Sequence, residues 1–308
     1  MSDTLSAEQI NAIKIEGFMH NRGTRRFSAR VLTKSGVLTS EQMRVLAQAA
    51  QTYGNGTLTL TIRMNIEIPG IDYDDIRPFQ ELIATVGLKT GGSGPRVRPI
   101  LACKGTTCIY GLYDTQQLAA DLYERLVEGY KDLALPHKFK TGVGGCPNNC
   151  AKPDTNDFGI VGQRVHDLDL DLCQGCDQCG IAGACTMKAA SVKEGKLSVD
   201  RDLCNNCGRC IGKCPFGVIT GYTDCLKIYV GGRWGRTVSR GKPLASLYTR
   251  DEVFDVMEKA ILMFKKEGLP GERLGQTCER LGMERVNQIL SGDELLSFRE
   301  GPTDARLS

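Results

Sequence analysis

Residues 173–185 read CQGCDQCGIAGAC, and residues 204–215 read CNNCGRCIGKCP. We call them the first and second run; each holds three cysteines two residues apart and a fourth shortly after. Four further cysteines, the outer quartet, precede them in the segments 103–108 (CKGTTC) and 146–150 (CPNNC). A purely structural role does not require twelve thiols at such short spacing, which can close three four-cysteine sites. The grouping indicates a protein that moves electrons through iron–sulfur clusters.

The second run has the bacterial ferredoxin spacing C-x2-C-x2-C-x3-C-P, in which the fourth cysteine of each run binds the cluster of the other run. This rule predicts two 4Fe–4S clusters, one held by Cys173, Cys176, Cys179 and Cys214, the other by Cys204, Cys207, Cys210 and Cys185. The first run departs from the pattern, because five residues precede its last cysteine and Thr186 replaces the proline. Structural zinc is the alternative, although zinc sites seldom need interleaved triplets.

The 308-residue chain is long enough for two or three domains, and its 41% hydrophobic and 24% charged residues are ordinary for a globular protein. The first ten residues lack an apolar signal core and a twin-arginine pair. No apolar run approaches the roughly 18 residues that span a membrane. Cytosolic thiols stay reduced and bind metals. We therefore expect a cytoplasmic protein without a membrane span.

The net charge is only +3, but basic residues are concentrated in two stretches without acids. The first holds Arg22, Arg25, Arg26, Arg30 and Lys34; the second, between Asp224 and Asp251, holds Lys227, Arg233, Arg236, Arg240, Lys242 and Arg250. Solvated surface is one interpretation and nucleic acid another, but no zinc-finger or RNA-binding signature supports the latter. The motifs below favour a third, a polyanionic small ligand.

Capping boxes at Ser6-x-x-Gln9 and Thr39-x-x-Gln42 predict the starts of two helices. The second should end at Gly54 and carry on its core face Met43, Leu46, Ala47 and Ala50. Another helix is predicted after Asp114, with Leu118, Leu122 and Leu126 directed inward. Two C-terminal helices are predicted around residues 251–267 and 277–290.

Two strands are predicted to direct basic side chains away from the core. Residues 26–32 place Phe27, Ala29 and Val31 on one face and Arg30 on the other. Residues 57–63 alternate Leu58, Leu60 and Ile62 with threonines and Arg63. Such a sheet would suit a charged ligand.

The segment CPNNC with its preceding C-x4-C resembles the siroheme-linked cluster motif of the sulfite and nitrite reductase family. In that family four cysteines hold a 4Fe–4S cluster and the last also bridges to the siroheme iron. The resemblance therefore implies that Cys103, Cys108, Cys146 and Cys150 bind a cluster and that Cys150 is the bridging ligand. The four-residue spacing matches the branch of anaerobic sulfite reductase C subunits.

The resemblance extends over residues 20–240 and implies an anion site. Residues 52–71 look like the family segment that presents Thr-x-Arg, here Thr61 and Arg63, to siroheme carboxylates. Two arginines and two lysines hold the substrate anion in the family, which here implies Arg30, Arg98, Lys138 and Lys140. Because siroheme has many carboxylates, Arg233 and Arg236 are further candidate partners.

The implied fold is α+β. A ferredoxin-like half domain (residues 1–75) would precede a siroheme and 4Fe–4S-binding α/β domain (residues 76–165 and 223–308). A bacterial-type two-cluster ferredoxin domain would be inserted at residues 166–222. Full-length family members contain two copies of the half-domain and cluster-binding unit, but this chain has one, so we expect a homodimer or higher homo-oligomer with one complete site per chain.

The implied function is siroheme-dependent, six-electron reduction of sulfite to sulfide, with three 4Fe–4S clusters as further cofactors. Nitrite is an alternative substrate, and a non-catalytic ferredoxin-type electron carrier is an alternative of another class. No G-x-G-x-x-G follows a strand, so electrons should come from a separate donor protein. Cys225 and Cys278 are expected to be ordinary buried thiols, and the three histidines show no ligand spacing.

Overall fold

The structure, a computed structural model, describes residues 5–299. Its helices are α1 (Ala7–Ile15), α2 (Ser40–Tyr53), α3 (Ile76–Ala84), α4 (Thr115–Leu122), α5 (Gly180–Ala184), α6 (Arg250–Glu267), α7 (Leu274–Leu281) and α8 (Met283–Ser291). Its strands are β1 (Phe18–His20), β2 (Arg26–Val31), β3 (Thr59–Leu60), β4 (Ile66–Asp72), β5 (Leu101–Ala102), β6 (Thr141–Gly144), β7 (Phe158–Leu168), β8 (Ala190–Lys193), β9 (Lys196–Val199), β10 (Ile219–Val230) and β11 (Lys242–Tyr248).

The N-terminal part is an antiparallel four-stranded sheet in the order β1-β2-β4-β3. The alternation predicted around residues 26–32 is confirmed, because Phe27, Ala29 and Val31 of β2 are fully buried. They pack with side chains of α2 and α3 such as Leu46 and Phe79. Arg30 lies on the opposite face of the strand, as predicted.

The predicted strand over residues 57–63 is wrong. Only Thr59–Leu60 forms a strand, and Leu58, Leu60 and Ile62 are 36%, 78% and 94% exposed. The cause is twofold. This strand is the edge of its sheet, and Thr61 N–H donates to the Asn65 carbonyl at 2.8 Å, which turns the chain before Arg63. Arg63 is therefore placed by a turn.

Both predicted capping boxes are confirmed, and Gly54 ends α2. The predicted core face of α2 is partly wrong, since Val45, Leu46, Ala49 and Ala50 are the buried residues while Met43 and Ala47 are exposed. The face that meets the sheet is centred on Val45 and Ala49, which follow each other by one helical turn.

The helix predicted after Asp114 is confirmed as α4, with the Asp114 carboxylate accepting from Gln117 N–H at 2.9 Å. A π-helical turn, Tyr123–Glu128, continues it and keeps Leu126 buried. The helix predicted around residues 251–267 is confirmed as α6. The last predicted helix is instead two, α7 and α8, divided at Gly282, whose φ of 81° is incompatible with a continuous α-helix.

The larger sheet has the order β11-β10-β7-β6-β5. Strands β5, β6 and β7 are parallel, whereas β10 runs antiparallel to both β7 and β11. Helices α4 and α6 contribute to its core, in which Phe139, Phe158 and Phe264 are fully buried.

Strands β7 and β10 form a long antiparallel pair whose far ends are Leu168 and Ile219. The segment between them, residues 169–218, contains α5 and the hairpin β8–β9, and we call it the insert. Its small core consists of Ile181, Leu197 and Val218. The domain boundaries given above stay a prediction. Within residues 5–299, no helix is both long and apolar enough to cross a bilayer.

Candidate functional site

The loops that carry the outer quartet meet at one edge of the larger sheet. Cys103 follows β5 and Cys146 comes two residues after β6, and the carboxyl ends of parallel neighbours lie together. Gly145 N–H donates to Cys103 Sγ at 3.1 Å. Gly105 and Gly145 permit this approach, because a Cβ on Gly145 would lie 2.9 Å from the Gly105 Cα atom.

The outer quartet is brought together as predicted from the motif. Burial raises the pKa of the Cys146 thiol, and the nearby thiols Cys103, Cys150 and Cys108 raise it further. Asn149 N–H donates to the Cys146 carbonyl at 3.2 Å and Asn149 has a φ of 57°, so CPNNC forms a tight turn. Cys150 is exposed at its end.

The insert cysteines are also placed near their predicted partners. Burial raises the pKa of Cys210, and the thiols Cys204, Cys207 and Cys185 raise it further, so these four are neighbours. Cys214 packs on the small core of the insert with Cys173 and Cys179, and Cys210 contacts the same core, so the predicted set of Cys173, Cys176, Cys179 and Cys214 stays a prediction. Backbone N–H groups of Ala189 and Leu197 donate to Cys185 Sγ at 3.2 Å and Cys173 Sγ at 3.3 Å.

No three His, Cys, Asp or Glu side chains in residues 5–299 converge as they would around a single metal ion. In a 4Fe–4S cluster each of the four cysteines binds a different iron atom, so its thiolates surround a larger body.

Arg30 and Arg98 converge on one carbonyl. Arg30 Nη1 donates to the Gly92 carbonyl at 3.1 Å, and Arg98 Nη1 donates to the same oxygen. The other side of the Arg30 guanidinium pairs with Glu67, at 2.6 Å from Nη2 to Oε1. Burial lowers the pKa of Arg98 to about 10, and the charge of Arg30 contributes.

Arg63 connects the N-terminal sheet to the larger one. Its Nη2 donates to the Pro99 carbonyl at 2.6 Å and the Thr141 carbonyl at 2.8 Å, and its Nη1 donates to Asn156 Oδ1 at 3.0 Å. Burial lowers its pKa to about 10. The buried Nε atoms of Arg63 and Arg98 have no hydrogen-bond partner among residues 5–299, and such orphaned donors are rare in folded proteins.

Lys138 and Lys140 flank the fully buried Phe139, as the predicted alternation requires. Phe139 N–H donates to the Arg96 carbonyl at 3.0 Å, and Arg98 N–H donates to the Phe139 carbonyl at 2.9 Å, which places Arg98 beside the lysines. Burial, with the charges of Arg63 and Lys138, lowers the pKa of Lys140 to about 8. Burial and Arg273 lower the pKa of Lys138.

A buried ion pair supports the lysine segment from behind. Arg273 at the start of α7 is 6% exposed, Asp157 is fully buried, and Arg273 Nη2 donates to the two carboxylate oxygens of Asp157 at 2.8 and 2.7 Å. Asp157 Oδ2 also accepts from Lys140 N–H at 2.9 Å. The pair therefore fixes the backbone from which Lys140 projects.

Sequence reasoning missed Asp157, Arg273 and His137. His137 Nδ1 accepts from Lys138 N–H at 2.8 Å, and burial and Arg273 lower its pKa. The sequence offers one signal for His137, which is its position directly before Lys138. Asp157 and Arg273 are 116 residues apart and belong to no local pattern.

The remaining candidate residues are Thr61, Arg233 and Arg236. Thr61 Oγ1 accepts from Asn65 N–H at 3.0 Å and so shapes the turn before Arg63. The backbone of Arg233 exchanges hydrogen bonds of 2.9 Å with the backbone of Ser239. The charge of Arg233 also lowers the pKa of Lys138, but burial, Arg273 and Arg98 lower it more. Arg236 is exposed in the loop between them.

The basic side chains and the outer quartet lie at opposite ends of β6. Lys140 directly precedes this strand, Arg63 binds its first carbonyl at Thr141, and Gly145 and Cys146 directly follow it. Four residues of strand are about 13 Å long. One chain thus holds a group of neighbouring basic residues and a separate cysteine quartet. We call the group the basic cluster; it consists of Arg30, Arg63, Arg98, Lys138 and Lys140.

The remaining two cysteines, Cys225 and Cys278, lie outside the outer quartet and the two runs. Cys278 is buried, and burial raises its pKa to about 12. Cys225 is half-buried in β10 and its Sγ lies 3.8 Å from the Gln163 carbonyl. The expectation of a buried thiol is confirmed for Cys278 and only partly for Cys225.

Comparison with solved structures supports this fold. The chain aligns with the crystal structure of dissimilatory sulfite reductase I (DsrI) with a TM-score of 0.68 and 22% identity, covering 90% of this chain and 72% of that one.

Curated relatives extend the similarity to sequence. The C subunit of the anaerobic sulfite reductase of Salmonella typhimurium is 31% identical over 299 residues, covering 89% of this chain and 86% of that protein. Coenzyme F420-dependent sulfite reductase of Methanocaldococcus jannaschii is 31% identical over 258 residues, covering 81% of this chain. The chain spans only 40% of the length of that second relative.

Two family models divide the chain between them. Residues 20–86 match the nitrite/sulfite reductase ferredoxin-like half domain, and residues 93–295 match the nitrite and sulphite reductase 4Fe-4S domain. The second match covers more than half of the 308 residues, and the resemblance inferred from the cysteine motif is confirmed. The chain belongs to the nitrite and sulphite reductase 4Fe-4S domain family.

Proposed function

We propose that this chain is a siroheme-dependent sulfite reductase that converts sulfite to sulfide with six electrons. The observation that carries the proposal is that the basic cluster and the outer quartet are held at the two ends of one strand, β6. Relatives similar over most of the chain are named as sulfite reductases, which favours sulfite over nitrite.

The basic cluster suits the carboxylates of a siroheme. Arg63 and Arg98 each keep a buried Nε donor without a partner among residues 5–299, and both guanidiniums are held rigidly by backbone carbonyls. Arginine is the side chain best matched to carboxylates. Thr61, Arg233 and Arg236 are further candidate contacts, and Cys150 is the candidate bridging thiolate. Bound siroheme would supply the iron that binds sulfite and delivers electrons.

Four basic residues would hold the substrate, and the two lysines would also supply protons. Arg30, Arg98, Lys138 and Lys140 concentrate positive charge where a sulfur oxyanion must be neutralised. Each sulfur–oxygen bond breaks and its oxygen takes up two protons to leave as water, so the reaction consumes protons. Lys140 is the best placed donor of these, because its lowered pKa of about 8 lets it release a proton near neutral pH.

The insert would act as a ferredoxin-type relay. Eight cysteines there can hold two 4Fe–4S clusters, and the outer quartet a third. An electron-donor protein of the ferredoxin or flavin/iron–sulfur class would supply the electrons. The proposed function involves no nucleic acid and no membrane span.

We further propose that the active form is a homo-oligomer. Full-length family members contain two copies of the half-domain and cluster-binding unit and this chain has one, so a second chain would cover the surface that the second copy covers there, with one complete site per chain.

Purified protein should contain about thirteen iron atoms per chain, from three four-iron clusters and one haem iron. Its absorption spectrum should show a siroheme-type band above the broad iron–sulfur absorption. Anaerobic purification, iron assay and spectroscopy test both. Broad absorption alone with about eight iron atoms would leave an electron carrier as the better interpretation.

The affinity for sulfite should weaken as the pH rises through about 8. Below that pH Lys140 is protonated and attracts the anion; above it the charge is lost. The measurement is KM for sulfite against pH, with Lys140→Met as the comparison. An identical pH profile in that variant would exclude Lys140 as the titrating group.

A further inference from the structure

The outer quartet and the second run meet across one small cleft. Its cavity of about 170 Å³ is lined on one side by Cys146, Pro147 and Asn148, and on the other by Cys207, Gly208 and Arg209. Two cysteine loops from distant parts of the sequence thus share a surface.

Arg209 joins these two loops. Its Nη2 donates to Asn148 Oδ1 at 3.1 Å, and its guanidinium lies 4.6 Å above the centre of the Tyr110 ring. Asn148 belongs to the CPNNC turn, and Tyr110 comes two residues after Cys108. Both contacts therefore bind the second run to segments of the outer quartet.

Strand β7 holds the loop of the outer quartet and the second run next to each other. Gly162 lies against the outer loop, since a Cβ there would be 2.6 Å from the Gly145 carbonyl. One and two residues further on, Gln163 and Arg164 bind Asn206 of the second run: Asn206 Nδ2 donates to Gln163 Oε1 at 2.9 Å, and Arg164 N–H donates to the Asn206 carbonyl at 2.7 Å. The two loops are thus adjacent along the strand.

The first run is attached beyond the far end of β7. Leu168, the last residue of that strand, packs on the insert core together with Cys173 and Cys179 of the first run, and Cys210 and Cys214 of the second run contact the same core. Six residues of strand from Gly162 to Leu168 span about 20 Å. Cys173 Sγ accepts from Leu197 within the insert, and Cys176 is exposed. The contacts given above between the insert and the outer loops all come from the second run, and the first run holds the exposed Cys176, so the first run is the more accessible of the two.

We infer that the clusters are used in a fixed order, in which the cluster of Cys204, Cys207, Cys210 and Cys185 alone passes electrons to the outer quartet, across the Arg209–Asn148 contact. This inference rests on the proposed function for the presence of three clusters. The cluster of Cys173, Cys176, Cys179 and Cys214 is then the entry point for the donor protein.

Each transfer moves one electron and breaks no bond. The reduced donor protein loses one electron to the entry cluster and is oxidised. The entry cluster returns to its oxidised state as it reduces the second cluster, which is reoxidised in turn as the outer cluster gains the electron.

The two middle cysteines provide a matched test of this order. Cys207→Ser and Cys176→Ser each alter one insert cluster at the same position of its run. In the fully reduced protein, electron paramagnetic resonance should show the outer-cluster signal broadened by the spin of its neighbour. We expect Cys207→Ser to remove or change this broadening and Cys176→Ser to leave it unchanged. The opposite result would reverse the order and overturn the inference.

Arg209→Gln tests the contact without touching a ligand, and Arg201→Gln, on the exposed surface of the insert, is its control. After mixing with a reduced ferredoxin and rapid freezing, the insert clusters should be reduced at the parent rate in both variants. Electron arrival in the outer cluster should slow severalfold in Arg209→Gln alone, because loss of the Asn148 and Tyr110 contacts lets the two loops move apart and the rate of electron transfer falls steeply with distance. Equal rates in both variants would remove Arg209 from the route.

Failure of the proposed function has a different signature. If the outer cluster or either insert cluster is missing, the unaltered protein will already contain less iron than expected. It will also show fewer than three cluster signals by electron paramagnetic resonance. The order is therefore tested only on protein whose three cluster signals are present.

Discussion

Replacing Lys138 and Lys140 together with Met is expected to lower sulfite turnover by about two orders of magnitude or more, the usual scale for losing a positioned electrostatic or acid group. Methionine keeps the bulk but removes the charge and the donors. Phe139 between the lysines stays buried, so the segment should keep its place. Turnover with a reduced electron donor, measured beside the absorption spectrum, tests the expectation.

Lys193→Met, on the exposed hairpin of the insert, is the control and should keep parent activity. The spectra of the haem and clusters should be unchanged in the double variant, because all the proposed metal ligands of this chain are cysteines and neither lysine is one of them. Loss of cofactor would make the lysines structural instead, and full activity would show that the family correspondence fails at this position.

Mixing this double variant with Cys150→Ser asks how many chains build one site. If a basic cluster works with the quartet of a second copy, some mixed oligomers combine an intact basic cluster with an intact quartet and recover part of the activity. If each chain holds a complete site, the mixture stays as inactive as its components.

Asp157→Asn should destabilise the protein by about 3 to 5 kcal/mol, the cost of breaking a buried ion pair from one side. Asparagine has nearly the same shape, but Arg273 would then remain buried at 6% exposure with no counter-charge. The Lys140 N–H would also lose its carboxylate acceptor. Urea unfolding, followed by far-ultraviolet circular dichroism at one cofactor loading, measures the change.

Glu124→Gln is the matched control, because Glu124 pairs with Lys34 at 2.7 Å while both side chains are at least 60% exposed. Exposed pairs contribute about 0 to 1 kcal/mol. A loss at Asp157 no larger than at Glu124 would show that the buried pair does not hold the lysine segment.

The parts of the site that sequence predicted are those whose pattern is local. The cysteine spacings predict cluster ligands, because a cluster needs several thiols within a short stretch. Arg30 was placed on the outer face of β2 by strict alternation with buried Phe27, Ala29 and Val31. Lys138 and Lys140 were placed by the same two-residue period around Phe139.

The parts that sequence missed depend on long-range contacts. Alternation at Leu58, Leu60 and Ile62 predicted a buried face, but alternation cannot tell an edge strand from a central one. Asp157 meets Arg273 only because α7 packs against β10 and so returns to the start of β7. The division of the last helix at Gly282 depends on a positive φ that a permissive residue allows but does not demand.

The pairing of β7 with β10 also bears on how the chain folds. The fifty residues 169–218 must be closed into a loop before Leu168 can meet Ile219. The length-dependent entropy cost of closing a flexible loop of that size is about 3.5 kcal/mol. Asp169 N–H already binds the Val218 carbonyl at 2.9 Å, so an insert that is ordered by its own metal ligands brings the two strand ends together. Binding of the two proposed clusters in the insert would then lower the entropy cost of pairing β7 with β10 and favour formation of the larger sheet.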